Sequence, residues 1–270
     1  MAKERLDVLL VRQGLMESRE KAKAAVMAGW IFGDGQRLDK PGMALSADVC
    51  LEVKGEQPPF VSRGGLKLAK ALQVFPLSFA GAVMADIGAS AGGFTDCALQ
   101  NGAARVYAID VGYGQLHWKL RTDPRVVVLE RTNARYLEAD SLPESMDWIV
   151  TDVSFISLTK IFPAVQRLLK VGGQVVALIK PQFEAGRESV GKRGVVKDPQ
   201  IHAQVLENIL TAATGAGFQV RGLSYSPIRG PEGNIEYLAW LEYTAATEDA
   251  PPDWKITVAE VVQEAQKGAL

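Results

Sequence analysis

A run of small residues between an apolar strand and a helix constrains this chain more than any other feature. Met84-Ala85-Asp86-Ile87 leads into Gly88-Ala89-Ser90-Ala91-Gly92-Gly93, and Phe94-Thr95-Asp96 follows. Glycines let the backbone turn sharply and approach a ligand where any Cβ would clash. Loop amides and a helix N-terminus then face the bound molecule. Asp110 closes the next apolar run, Arg105-Val106-Tyr107-Ala108-Ile109. A carboxylate about 20 residues beyond a glycine loop is placed to accept hydrogen bonds from ribose hydroxyls. Together these features describe a nucleoside-cofactor site on an α/β sheet.

The details of the loop select the cofactor. A dinucleotide site carries G-x-G-x-x-G, where a helix dipole meets a pyrophosphate. Here the glycines stand as G-x-x-x-G-G and follow Asp86. That acid repels a pyrophosphate but suits S-adenosylmethionine, which carries an ammonium and a sulfonium. The cofactor residues expected are Asp86, Gly88, Ser90, Gly92, Gly93, Phe94 and Asp110. The competing reading is an ordinary tight strand-to-helix turn.

From Gly65 onward the chain alternates between helical spacing and short apolar runs. Strands are expected near Val83–Ile87, Val106–Asp110, Val126–Leu129, Trp148–Asp152, Val175–Lys180, Phe218–Leu223 and Glu236–Leu241. Alternation of this kind demands a parallel sheet covered on both faces. The expected fold is α/β, and resemblance to methyltransferases implies a Rossmann-like class I sheet, mostly parallel with the last strand antiparallel. Residues 63–245 would form this domain. A polar spacer and an amphipathic helix over Val258–Lys267 would fill 246–270.

The first 54 residues read as a separate α+β unit, joined through a Gly- and Pro-bearing linker at 55–62. Leu6, Leu9 and Leu10 share one helical face and Gly14 closes that helix. Ser18 is placed as the N-cap of a second helix with Ala22, Ala25 and Val26 inward, stopped by Gly29. Trp30-Ile31-Phe32 and Val49–Val53 read as strands, with a tight turn at Gly33-Asp34-Gly35. Arg5, Arg12, Arg19, Lys21 and Lys23 point outward, but Glu4, Asp7, Glu17 and Glu20 are mixed among them. Charge alone therefore leaves a solvated face and an RNA contact equally open. The order Arg5-Leu6-Asp7, Leu10, Gly14, Ser18-Arg19, Ala22, Gly29 and Gly35 resembles the alpha-L RNA-binding motif. That resemblance implies that Arg5, Arg19 and Lys23 meet phosphates, which positions a protein without reading sequence.

Composition excludes several classes. The 270 residues carry a formal net charge of -1, so any nucleic-acid surface must be a local patch. The two cysteines, Cys50 and Cys97, are too few for a disulfide framework and favour a reducing cytoplasm. The start of the chain lacks the apolar core of a signal peptide, and no apolar run approaches the roughly 18 residues that span a bilayer. His117 and His202 are the only histidines and lie in separate segments, which removes a zinc site or a histidine triad. No metal is expected, and proton chemistry falls to other groups.

In an open parallel sheet, ligands bind beyond the carboxyl ends of the strands. Asp110, Asp152 and Lys180 end strands there, and if the last strand runs antiparallel, as in methyltransferases that this sheet resembles, its start, Glu236, lies on the same rim. Lys67 lies on the helix leading into the sheet. Each has a bland alternative: Lys180 as a solvated strand end, Asp152 as a helix cap, Glu236 as an exposed strand residue. Gathered at one rim, they suit methylation of a ribose 2′-hydroxyl, which needs a base as the oxygen attacks the methyl group. A lysine serves when desolvation and a nearby positive charge lower its pKa. Lys67 would supply that charge to Lys180, with Asp152 and Glu236 orienting both amines.

With these residues in view, the chain is identified as a member of the TlyA family. The segments carrying the resemblance are Ser62–Leu68, Asp86–Asp96, Asp110–Leu116, Thr151–Leu158, Ile179–Glu184 and Gly233–Tyr237. It implies an alpha-L RNA-binding domain followed by an FtsJ-like 2′-O-methyltransferase domain. It further implies Lys67, Asp152, Lys180 and Glu236 as a catalytic tetrad, and ribosomal RNA or ribosomal subunits as substrate, methylated on cytidine ribose. Arg63, and Arg187, Lys192 and Arg193 in the basic loop at 186–198, would join the RNA contacts.

Other classes fit less well. The position after the fourth strand reads Asp152-Val153-Ser154-Phe155, without the prolines of amino-group methyltransferases. Neither cysteine lies where a cytosine five-position enzyme needs its nucleophile. The family name also refers to haemolysis, yet every apolar run here fits a sheet core and the C-terminal helix is short and weakly basic. A non-catalytic RNA-binding assembly factor would have no use for a matched base and orienting acids.

Overall fold

The computed structural model describes residues 3–27, 29–54, 59–245 and 255–268. The chain divides into two compact units, Met1–Pro59 and Phe60–Leu270. The second begins earlier than the expected 62/63 boundary. Phe60 packs where a side chain on Gly65 would go, and Val61 N–H donates to Asp96 at 2.8 Å. The rest of the expected linker, 55–58, and the spacer at 246–254 lie outside the described residues.

In the first unit, β1 (Lys3–Arg5) runs into α1 (Leu6–Arg12), and α2 (Arg19–Met27) follows. Gly14 takes φ +71 just past α1, as a left-handed helix terminus requires. Lys21 N–H reaches Ser18 Oγ at 3.3 Å, so Ser18 caps α2. Next come β2 (Ile31–Gly33), β3 (Gln36–Arg37), β4 (Ala44–Ser46) and β5 (Leu51–Val53). β2 and β3 form a hairpin through Asp34 and Gly35, both at positive φ, the two-residue turn whose twist matches paired strands. β5 pairs with the other edge of β2, and β1 pairs with β4. Leu6, Leu9, Leu10, Ala22, Ala25, Val26 and Ile31 form the core.

The second unit opens with α3 (Gly65–Val74), then β6 (Val83–Ile87), α4 (Gly93–Gln100), β7 (Arg105–Ile109), α5 (Trp118–Arg121) and β8 (Val126–Leu129). β9 (Met146–Thr151), α6 (Phe162–Leu168), β10 (Leu169–Ile179), α7 (Pro181–Glu184), α8 (Pro199–Gly215), β11 (Phe218–Tyr225), β12 (Tyr237–Tyr243) and α9 (Lys255–Gly268) complete it. Seven strands form one sheet in the order β11-β12-β10-β9-β6-β7-β8. The pairings from β10 across to β8 are parallel, while β12 lies antiparallel to both β10 and β11. The expected class I sheet is therefore present, and the order reverses at β6, beside which ligands bind in such sheets.

Central strands are apolar on both faces because helices cover both. Leu68, Ala71, Phe94 and Ala98 pack on one side with Met84, Val106 and Val176. Leu206, Ile209, Leu210 and Phe162 pack on the other with Ala85, Ile149 and Val175. α9 joins that second layer through Val258, Val261, Val262 and Ala265. Its apolar stripe is thus spent on the core rather than offered to lipid.

Candidate active site

Four charged residues stand one step beyond strand ends. Asp110 follows β7, Asp152 follows β9, Lys180 follows β10 and Glu236 precedes the antiparallel β12. All four positions fall on one rim because β12 alone runs backward. Lys67, one turn into α3, enters from the side with Leu68 and Ala71 on its buried face. Lys67 Nζ lies 2.7 Å from Glu236 Oε2 and 3.2 Å from Asp152 Oδ2. Lys180 Nζ lies 2.5 Å from Asp152 Oδ1 and donates to Ser154 Oγ at 3.0 Å. The structure thus joins Lys180, Asp152, Lys67 and Glu236 into one chain of ion pairs, with both lysines only 7% exposed.

The arrangement alters the expected electrostatics. Lys67 does not face Lys180 directly, because the Asp152 carboxylate stands between them. Burial opposes the charge on Lys67, but Asp152 and Glu236 outweigh it and hold its ammonium above the ordinary lysine range. Burial likewise opposes charge on Asp152, and the two lysines overcome it and keep its carboxyl below the usual range.

The glycine loop is crowded by protein as well as shaped for a ligand. A Cβ on Gly88 would sit 2.5 Å from the Asp152 carbonyl, and one on Gly93 would sit 2.6 Å from Gly65 N. Gly92 turns at φ +93 against Leu116 and Leu120. Ser90 also holds positive φ, steadied by its N–H to Asp110 Oδ2 at 2.8 Å. Asp110 Oδ1 accepts from Gly112 N–H at 2.7 Å. Asp110 therefore organises the loop, with a second lone pair on each oxygen left for ribose hydroxyls.

Asp86 is fully buried. Its Oδ2 accepts from Thr95 N–H at 3.0 Å and Thr95 Oγ1 at 2.7 Å, while Oδ1 has no partner among the described residues. Burial pushes its carboxyl up to about 7. An unpartnered buried carboxylate oxygen lining a cavity is a cation acceptor in waiting. That cavity, about 270 Å³, is lined by Arg63, Lys67, Asp86, Gly88, Ser90, Phe94 and Lys180 among others. An adjoining one of about 440 Å³ meets Asp110, Gln115, Asn133 and Ile156. Asp86 in one lobe and Asp110 with apolar walls in the other fit an amino acid joined to a nucleoside.

On the far side of Lys180 lies a cavity of about 690 Å³, lined by Phe155, Phe183, Gln182, Arg187 and Glu236. Phe155 is 90% exposed, sits at φ +63, and its ring lies 5.0 Å from that of Phe183. A bulky residue in this backbone region and so exposed is strained without a packing return. Sequence reasoning gave Phe155 and Phe183 no role, and only their place beside Lys180 in the motifs could have marked them.

The basic residues separate into groups. Arg63 lines the cofactor-sized cavity with Asp86. Arg187 borders the Phe155 cavity, while Lys192, Arg193 and Lys197 surround another of about 910 Å³ with Arg229. In the first unit, Asp7 is buried and gathers two arginines. Arg5 Nε and Nη2 bind it at 2.9 and 3.0 Å, and Arg19 Nη2 at 3.1 Å. Lys23 is exposed on α2. Asp7 was one of the acids that made charge counting inconclusive, and its place among Leu6, Leu9 and Leu10 was the signal of an inward carboxylate. Cys97 is buried on α4 with its thiol pushed up to about 12 by burial, which suits no nucleophile.

A switch-point cavity with an acid at each lobe, and a buried amine chain at its edge, define a methyltransferase of the nucleoside-cofactor type. Residues 60–243 match the FtsJ-like methyltransferase family and residues 4–49 match the S4 domain. The chain belongs to the FtsJ-like methyltransferase family, in the TlyA group that joins it to an S4 domain. It is 53% identical to YqxC of Bacillus subtilis over 98% of this chain and 95% of that one. It is 46% identical to the 16S/23S rRNA (cytidine-2′-O)-methyltransferase TlyA of Mycobacterium tuberculosis, over 88% of this chain and 89% of that one. A solved structure of a protein provisionally called a hemolysin, from Streptococcus thermophilus, is 52% identical with a TM-score of 0.77, covering 99% and 97% of the two chains.

Proposed function

We propose that this protein methylates a ribose 2′-hydroxyl of cytidine in ribosomal RNA, using S-adenosylmethionine, with Lys180 as general base. The observation that carries the reading is the linked set Lys180–Asp152–Lys67–Glu236 at the lip of a cavity containing the unpartnered Asp86 Oδ1. S-adenosylmethionine supplies an electrophilic methyl group. Asp86 would hold its ammonium, Arg63 its carboxylate, and Asp110 would accept from its ribose hydroxyls.

Geometry supports this role for Lys180. A neutral amine has two N–H groups and one lone pair. Asp152 and Ser154 are placed to accept the two N–H groups, which leaves the lone pair at the remaining tetrahedral position. An entering 2′-hydroxyl placed there loses its proton to Lys180 as its oxygen turns nucleophilic. Lys67 stays charged between Asp152 and Glu236 and fixes the carboxylate that orients Lys180. Positioning at near-attack distance supplies most of the remaining gain. Phe155 and Phe183 offer faces for a base turned out of its stack. Among the described residues no helix is long and apolar enough to cross a membrane.

The test incubates the protein with radiolabelled cofactor and ribosomal RNA or purified subunits, then digests the RNA to nucleosides. Label on cytidine ribose, lost in Lys180→Ala while cofactor binding survives, supports the reading. Label on a base, or none on any RNA or subunit, rejects it.

A further inference from the structure

The basic segment that follows α7 is fastened from both sides of Glu236. Two residues before it, buried Asn234 donates from Nδ2 to Gly194 O at 2.8 Å and accepts Val196 N–H on Oδ1 at 3.0 Å. One residue after it, the Tyr237 hydroxyl meets His202 Nδ1 at 2.7 Å, and His202 Nε2 meets Val196 O at 2.9 Å. A carbonyl can only accept, so Nε2 carries the proton and Nδ1 accepts from Tyr237. His202 is fully buried, and it and Asn234 converge on one backbone residue, Val196, from opposite directions.

Apart from these bonds the segment is anchored by the buried Val196 side chain and by its own turn. It turns tightly between Gly191 and Gly194, with Gly194 at φ +73. It presents Lys192, Arg193 and Lys197, exposed, around a cavity of about 910 Å³ that also meets Arg229 and Gln266 of α9. A flexible cationic loop binds a polyanion only after losing its freedom, and a loop ordered beforehand avoids that loss.

We infer that Asn234 and His202 are positioning residues that clasp the 191–197 segment to the strand start bearing Glu236, so that its cations hold RNA phosphates at a fixed offset from Lys180. This rests on the RNA methylation reading. Neither residue touches the reacting atoms. Both act through Val196.

The full-length protein is assayed with purified ribosomal subunits. Losing a buried hydrogen-bond partner is worth roughly tenfold, and Asn234→Ala is expected to raise KM for the subunit by about that factor with kcat and cofactor affinity little changed. In a Lys192→Ala/Arg193→Ala/Lys197→Ala background the same substitution is expected to cost nothing further, because the cations it positions are gone. His202→Phe is expected to behave like Asn234→Ala, and His202→Gln, which keeps an N–H near Val196, to recover most of the loss. Full additivity of the effects, or a fall confined to kcat, would overturn the clasp. Should the wild type modify no RNA, the functional reading fails by itself. Amide hydrogen exchange still judges the clasp, since Asn234→Ala is expected to speed exchange within 191–197 alone. Unchanged exchange there refutes it even if every variant of His202 misfolds.

Discussion

Lys180 and Asp152 meet across 2.5 Å, and the other oxygen of the same carboxylate is taken by Lys67 at 3.2 Å. Asp152 therefore links the cluster, holding Lys180 through one oxygen and Lys67 through the other. Asp152→Asn keeps the shape and removes the charge. It is expected to lower kcat by about 10²–10³ with RNA affinity preserved, because general-base geometry contributes on that scale. Single-turnover methyl transfer and a filter-binding measurement check the two halves.

Lys67 also bears on stability. Lys67→Met leaves buried Glu236 beside Asp152 with no cation between them. Breaking a buried pair costs about 3–5 kcal/mol, whereas removing both partners costs far less. Urea unfolding should show Lys67→Met strongly destabilised and Lys67→Met/Glu236→Gln largely restored. Equal loss in both variants would deny that the pair is coupled.

Asp86 predicts a pH dependence of cofactor binding. Its carboxyl is raised to about 7 by burial, well above its ordinary value of 3.8. Only the ionised form pairs with an ammonium, so S-adenosylmethionine affinity should rise with pH through about 7 and level off above. For the apo protein the sign is opposite. A folded-state value above the unfolded one means that stability is greatest below about 4 and declines as pH climbs toward 7. Calorimetric titration of the wild type against Asp86→Asn, which should bind weakly at every pH, tests both.

Phe155 combines strain with exposure. Phe155→Gly relieves the positive φ and should leave thermal stability equal or higher. It removes a stacking face worth about 1–3 kcal/mol per base, so kcat/KM should fall by roughly 5–100-fold. Phe155→Trp should keep most activity. Loss of folding in Phe155→Gly would show the ring to be structural.

Asp7 makes a counter-intuitive prediction. Its carboxyl is drawn down to about 2 by the Arg5 guanidinium, against burial, with Arg19 adding to the effect. That stabilisation is present above about pH 4 and disappears as pH falls toward 2. Asp7→Asn removes a negative charge yet releases both arginines. RNA binding at neutral pH is expected to weaken, with a shallower salt dependence, each lost phosphate contact lowering the slope by about 0.7–0.9. Tighter binding would show that Asp7 only subtracts charge.

The sheet was readable because its strands are short apolar runs closed by charges, and the reversal of β12 alone brings Glu236 to the rim of Asp152 and Lys180. Lys67 stands 85 residues before Asp152, so its approach depended on knowing that α3 leads into the rim. What pattern could not show was which partner each charge takes. Asp110 reads as a ribose acceptor but spends an oxygen each on Ser90 and Gly112 amides. Gly88 and Gly93 read as room for a ligand, but their missing Cβ atoms also make room for the Asp152 and Gly65 backbones. β1, β3 and β4 are two or three residues long, too short for any period. Asn234 and His202 act through Val196 backbone groups, and a contact to backbone leaves no trace in residue type.

The central claim is that a buried lysine takes the ribose proton, and single-turnover transfer by Lys180→Ala tests it most directly. Cofactor-loaded variant and purified ribosomal subunits are mixed, with and without added methylamine. Transfer to cytidine ribose should fall by about 10²–10⁴, the worth of a general base, and return in part as the amine is supplied. Transfer at the wild-type rate, with no response to amine, would contradict the account.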